Sequence, residues 1–135
     1  MNPNTTKNMR SPASTKPVIY AVDDEVMILE MIAVILEPLG YRVFTFSDPL
    51  PALEALAIQS PRPVLIITDY AMHGMNGMDF IEKCRALLPD QKIVLASGTV
   101  SQDIYATSPT KPDCFLAKPF KPHELVEAVQ GVIRG

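Results

Sequence analysis

The sequence predicts an α/β fold: a doubly wound, five-stranded parallel sheet with strand order 2-1-3-4-5. Three observations predict it. Short apolar or β-branched runs alternate with helix-spaced segments from residue 18 to the end. Three of the runs, "VIYAVD", "PVLIITD" and "KIVLAS", are apolar almost throughout, as strands covered on both faces require. And 135 residues, 47% hydrophobic and 20% charged, suit one domain with a real core.

The elements follow in order. Residues 1–17 are polar, lack the apolar core of a secretion signal and read as a disordered arm ahead of a folded domain over 18–135. Residues 18–23 form the first strand. Residues 26–37 form a helix that stops at Pro38 and Gly40. "YRVFTF", 41–46, alternates and fits an edge strand. Asp48 is placed to cap the second helix, with Pro49 at its first position. A strand over 63–69 ends on Asp69, and a helix over 77–88 stops at Pro89. After the strand at 92–97, residues 101–107 have room for a short helix that Pro109 and Pro112 curtail. "CFLAK", 114–118, is the fifth strand, and 122–133 the last helix, with Pro122 near its start.

Composition narrows the function. The net charge is −3 and no basic stripe stands out, which argues against direct nucleic-acid binding. No uninterrupted apolar run approaches the ~20 residues needed to span a bilayer. Cys84 and Cys114 lie far apart without metal-ligand spacing and read as reduced thiols of a cytoplasmic protein.

The chemistry gathers at strand ends. Strand 1 runs into Asp23, Asp24 and Glu25, and strand 3 ends on Asp69. In the order 2-1-3-4-5 these ends are neighbours at the switch point, where a ligand crevice opens. Strand 4 adds the Ser97 hydroxyl and strand 5 the Lys118 ammonium. Clustered hard oxygens suit Mg²⁺, which binds through one or two carboxylates and keeps several waters. Beside such an ion and a lysine, Asp69 is placed to attack a phosphoryl group and form an acyl phosphate. Each residue alone has an ordinary reading: a solvated turn aspartate, a surface lysine, a turn serine. The four together, in order on one rim, carry the weight.

At this point the sequence resembles a receiver domain of two-component response regulators, over roughly residues 17–134. The matching stretches are "VDDE" (22–25), "IITDYAMHGMNGMDF" (66–80), "LASG" (95–98) and "FLAKPF" (115–120). The resemblance implies a flavodoxin-like fold and Asp69 as phosphoacceptor. It implies Asp24, Asp69 and the backbone carbonyl of Ala71 as Mg²⁺ ligands (Mn²⁺ being possible), with Asp23 acting through water. It implies that Ser97 and Lys118 contact the phosphoryl oxygens, and that Phe115 turns with Ser97 as the switch. The donor would be a sensor histidine kinase or histidine phosphotransfer protein, and the recipient of the signal an unidentified downstream protein. In the family the donor docks on the first helix, where Met27, Met31 and Val34 exceed what one buried stripe of Ile28, Ile32, Ile35, Leu36 and Leu39 needs.

Three features depart from the family pattern. Met72-His73 stands where Met-Pro is common, the 99–113 segment lacks the usual alanine- and glycine-rich helix, and Ala71 offers no polar group to orient a hydrolytic water. Slow self-dephosphorylation is therefore expected. No output domain follows the last helix in this sequence. Other classes fit less well. A phosphatase of the haloacid dehalogenase type needs Asp-x-Asp and a following Thr after strand 1, which "DDEVM" lacks. A flavin module needs a glycine- and hydroxyl-rich loop there. A scaffolding pseudo-receiver has no need of the intact acids, Ser97 and Lys118.

Overall fold

The computed structural model describes residues 16–59 and 61–135. The arm expected at 1–17 falls, but for Lys16 and Pro17, outside the described residues.

Five parallel strands, β1 (Val18–Val22), β2 (Arg42–Phe46), β3 (Leu65–Asp69), β4 (Ile93–Ser97) and β5 (Cys114–Ala117), line up in the order β2-β1-β3-β4-β5. The expected topology is borne out, with strand ends within two residues of their expected positions. Four α-helices pack on the sheet: α1 (Val26–Leu36), α2 (Pro49–Ile58), α3 (Gly77–Leu87) and α4 (Pro122–Arg134). Side chains alternate along each strand and split the core in two. Ile19, Ala21, Leu65, Ile67, Val94 and Ala96 meet α1 and α4 on one face. Tyr20, Val22, Ile66, Ile93 and Leu95 meet Ala52, Leu56, Phe80 and Ile81 of α2 and α3 on the other. β1, β3 and β4 are buried at every position, whereas edge strand β2 is not, as its alternating sequence anticipates.

Local signals explain the helix starts. The Asp48 carboxylate accepts from the Leu50 N–H at 2.9 Å, with Pro49 at the first helical position. Asn76 does the same for α3 through the Asp79 N–H. The Lys121 N–H donates to Glu124 at 2.7 Å at the start of α4. The Lys118–Pro119 bond is cis.

Two expectations need correction. In α1 the buried stripe is Leu29, Ile32 and Leu36; Ile28 and Ile35 are half-buried and Leu39 is exposed. Pro38 tightens the chain into a 3₁₀ turn over Glu37–Leu39, so Leu39 leaves the 3.6-residue repeat and points outward. Between β4 and β5 only a 3₁₀ turn forms, Gln102–Tyr105, and the next eight residues run without regular structure. Arg85 of α3 pins that loop. Its guanidinium donates to the Gln91 and Lys111 carbonyls, both at 2.8 Å, and to the Asp113 carboxylate at 2.9 Å. Asp113 in turn accepts from the Ile93 N–H at the start of β4.

Candidate functional site

Parallel register delivers the carboxyl ends of β1, β3, β4 and β5 to one rim. Asp23 follows β1, and its N–H still donates to Phe46 of β2 at 3.1 Å. It is only 3% exposed. Its Oδ1 accepts from the Glu25 N–H at 2.9 Å, and its Oδ2 from Lys118 Nζ at 2.7 Å. Asp69 closes β3 and is 7% exposed. Both of its short contacts, the Tyr70 N–H at 2.9 Å and Lys118 Nζ at 3.1 Å, fall on Oδ1. Asp24 is partly exposed, with His73 Nδ1 3.5 Å from its Oδ2. One oxygen each from Asp23, Asp24 and Asp69 gathers within 4.8 Å.

Backbone contacts hold these groups in place. Lys118 leaves β5 with its N–H on the Ser97 carbonyl at 2.9 Å, beside Gly98, where a Cβ would come within 3.3 Å of the lysine's own Cβ. Gly77 lies under Asp69, and its N–H donates to the Tyr70 carbonyl at 2.7 Å. A Cβ on Gly77 would sit 2.6 Å from the Asp69 carbonyl oxygen, so glycine is needed for the helix to start this close to the strand.

The electrostatics are unbalanced. Burial and then the Asp23 charge push the Asp69 carboxyl above its ordinary range, more than Lys118 and the Tyr70 N–H pull it down. For Lys118, burial opposes the charge, but the hydrogen bond and charge of Asp23, then the charge of Asp69, prevail and raise it. Among the described residues, Lys118 serves Asp23 and Asp69, and no lysine or arginine lies within 4.0 Å of Asp24. A cavity of about 460 Å³, lined by Asp24, Glu25, Asp69, Ala71, Gly98, Thr99 and Lys118, opens beside them. Hard oxygens in excess of nearby positive charge are the donor set that Mg²⁺ takes, so these residues fit that ion. Asp23, with both oxygens already bonded, is suited to act on it through water rather than directly.

Other expected residues lie at varying distances from this cavity. Ser97 is buried, and its hydroxyl accepts from the Thr99 and Val100 N–H groups, each at 3.1 Å. It lines a neighbouring cavity with Phe115 and Ala117, while Thr99 lines the acid cavity. The sequence cue was there: a serine followed by Gly98-Thr99 invites this serine turn. Phe115 is half-buried against Tyr105, ring centroids 6.5 Å apart, a partner the sequence reading did not find. Met27 and Val34 are 81% and 71% exposed, but Met31 is half-buried against the core. Ile28, Met31, Pro119 and Phe120 line an apolar cavity that shares Glu25, Gly98 and Lys118 with the acid cavity.

The family model for the response regulator receiver domain matches residues 19–130. The chain belongs to that family. As a receiver of two-component systems it has close company among proteins of known role. The DNA-binding response regulator MtrA of Mycobacterium tuberculosis is 33% identical over 119 residues, covering 86% of this chain and 50% of MtrA. The phosphate regulon regulator PhoB of Klebsiella pneumoniae is 32% identical, covering 86% and 51%. The chain thus spans about half the length of the curated relatives it matches. The receiver domain structure from Methanospirillum hungatei superposes with a TM-score of 0.80 at 25% identity, covering 89% of this chain and 95% of that one. The chemotaxis response regulator CheY4 of Vibrio cholerae gives 0.78 at 29%, covering 87% and 99%. Among the described residues, no helix of this receiver is long and apolar enough to cross a membrane.

Proposed function

We propose that this receiver is a phosphoacceptor switch in which Asp69 takes a phosphoryl group from a sensor histidine kinase or histidine phosphotransfer protein. The observation that carries the reading is the placement of Asp69: its Oδ1 is held by Lys118 and the Tyr70 N–H, which leaves Oδ2 for attack. An Asp69 oxygen bonds to phosphorus as the phosphorus–nitrogen bond of the donor phosphohistidine breaks, and the leaving imidazole nitrogen takes a proton. Asp24, Asp69 and the Ala71 carbonyl would hold Mg²⁺, with Asp23 acting through water; Mn²⁺ suits the same oxygens. When bound, the metal neutralises charge on the transferring oxygens. Lys118 lies within reach of both Asp23 and Asp69 and orients the acceptor.

Ser97 then leaves its turn to bond the phosphoryl group, Phe115 follows, and the β4–β5 face changes for an unidentified downstream protein. Met27 and Val34, with half-buried Met31 beside them, form the face on which the donor docks. The apolar cavity that adjoins the acids supports this location. The protein is a stoichiometric acceptor in the cytoplasm, not a turnover enzyme. It needs neither direct nucleic-acid nor membrane contact for this step.

The test is incubation with Mg²⁺ and acetyl phosphate followed by intact mass. Wild type gains one phosphoryl group and Asp69→Asn gains none. Equal labelling of both proteins refutes Asp69 as acceptor, and multiple turnover of a phosphomonoester refutes the switch.

A further inference from the structure

The outer side of α1 carries acids with nothing to balance them. Residues 17–41 hold Asp23, Asp24, Glu25, Glu30 and Glu37 but no lysine, arginine or histidine, in a chain of net charge −3. Glu30 and Glu37 are exposed and make no ion pair among the described residues. Glu37 stands at the C-terminal end of α1, where the helix dipole disfavours an acid. Neither charge therefore stabilises the fold. Met27, Glu30, Val34 and Glu37 recur at helical spacing and fall on one exposed stripe, apolar and acidic by turns. On the helix surface the methionine and valine lie nearer Ile28 and Met31, and the two glutamates lie on the opposite flank. Ile28 and Met31 line the apolar cavity of about 450 Å³ that reaches Pro119 and Phe120.

We propose that this face selects its phosphoryl donor by charge. The partner is a helix with an apolar ridge that packs on Met27 and Val34. One large apolar side chain of that helix enters the cavity beside Met31. Lysine or arginine on its far flank, at positions seven residues apart, meets Glu30 and Glu37. The inference rests on the reading that the donor docks on α1 and adds which chemistry it must present. The spacing suits a helix: the two glutamates are seven residues apart, roughly 10.5 Å along the axis, and a partner helix repeats one face at the same interval. A second copy of this chain is the wrong occupant, because two such faces bring acid onto acid. Rim charges of this kind set partner choice and encounter rate more than raw affinity.

Two alanine-based helical peptides test this in NMR titrations of the isotope-labelled receiver. One carries a leucine stripe flanked by arginines seven residues apart, and its twin has glutamates at those positions. The basic peptide shifts the α1 amide signals and binds wild type about fivefold or more tightly than Glu30→Lys/Glu37→Lys, since two exposed ion pairs are lost. The acidic twin shows the reverse order, and added salt weakens both preferences. Equal affinity of the basic peptide for the two proteins overturns the inference, as does a twin that gains nothing on the double variant, or binding by neither peptide. Labelling of wild-type Asp69 by acetyl phosphate is read separately: its absence refutes the phosphoacceptor reading, whichever peptide the face prefers.

Discussion

Replacing Asp69 with asparagine should stabilise this receiver when no divalent ion is present. Carboxylates from Asp23 and Asp24 lie within 4.8 Å of Asp69. At an effective dielectric near 20, each opposes its charge by roughly 3 kcal/mol. The Lys118 ammonium at 3.1 Å offsets roughly 5 kcal/mol. Burial adds a further cost, and the ionised carboxylate is left unfavourable by about 1–2 kcal/mol. An asparagine oxygen keeps the bonds from the Tyr70 N–H and Lys118 without the repulsion. In a chelator at pH 7, thermal denaturation followed by circular dichroism should place Asp69→Asn roughly 3–8 °C above wild type.

The pH dependence has a fixed sign. The folded-state pKa of Asp69 is raised, so the folded protein favours the protonated acid. The deficit is absent below the unfolded value near 4 and grows to its full size as pH rises through the folded value. The advantage of the variant should therefore vanish in acid. Saturating Mg²⁺ reverses the order: an ion at about 100 times its Kd adds ~2.7 kcal/mol to wild type, more than the charge deficit. A variant no more stable than wild type in chelator, or an advantage unchanged between pH 7 and pH 4, refutes the charge balance.

Gly77→Ala puts a methyl 2.6 Å from the Asp69 carbonyl and 2.9 Å from the Tyr70 Cα; urea unfolding should show a loss of about 1–3 kcal/mol, with phosphorylation slowed because Asp69 shifts. Arg85→Ala removes two hydrogen bonds that pin the loop before β5 and a third to Gln91 ahead of β4, a loss of about 1.5–3 kcal/mol by the same assay, with faster amide exchange at residues 106–113. Met27→Lys changes an 81%-exposed side chain, so the fold stays intact while phosphotransfer from the cognate donor slows; transfer at the wild-type rate removes α1 as the docking face. Ala71→Asn places a polar group on the acid cavity and should speed loss of the phosphoryl group, read as the decay of phosphorylated protein after donor removal.

Most of the architecture was legible because its signals are local and strong. Runs such as "VLIITD" have no stable home except a strand covered on both sides, and parallel order then forces their acidic ends together. Asp48-Pro49 marks a helix start for reasons confined to those two residues. What was not legible depends on tertiary context. Leu29 and Ile28 are equally apolar, and only the angle at which α1 meets the sheet decides which is buried. Leu39 continues the apolar spacing, but the Pro38 turn carries it outward. Ser97 presents the right hydroxyl, yet its lone pairs are taken by N–H groups two and three residues on. Tyr105 beside Phe115 needed the course of an irregular loop, which has no periodicity to read.

The arrangement around Lys118 limits how a change at Asp69 can spread. One ammonium serves two buried carboxylates, at 2.7 and 3.1 Å, from the end of β5. Esterifying an Asp69 oxygen replaces a single negative charge with a phosphoryl group carrying more charge and reaching further into the cavity. Lys118 must then divide itself differently between Asp23 and the new oxygens. Its backbone N–H is bonded to the Ser97 carbonyl, and the hydroxyl of that same serine is a nearby donor whose current partners are two turn N–H groups and the Thr99 hydroxyl at 3.3 Å. The lysine and the serine thus link the acid cavity to the ends of β4 and β5 through one backbone hydrogen bond. The core on either side of the sheet is packed and resists displacement, whereas the 99–113 segment is held at its far end by Arg85 and otherwise by short turns. On the proposed reading, a rearrangement that starts at Asp69 would be taken up by that segment, with the Arg85 clamp limiting how far it moves.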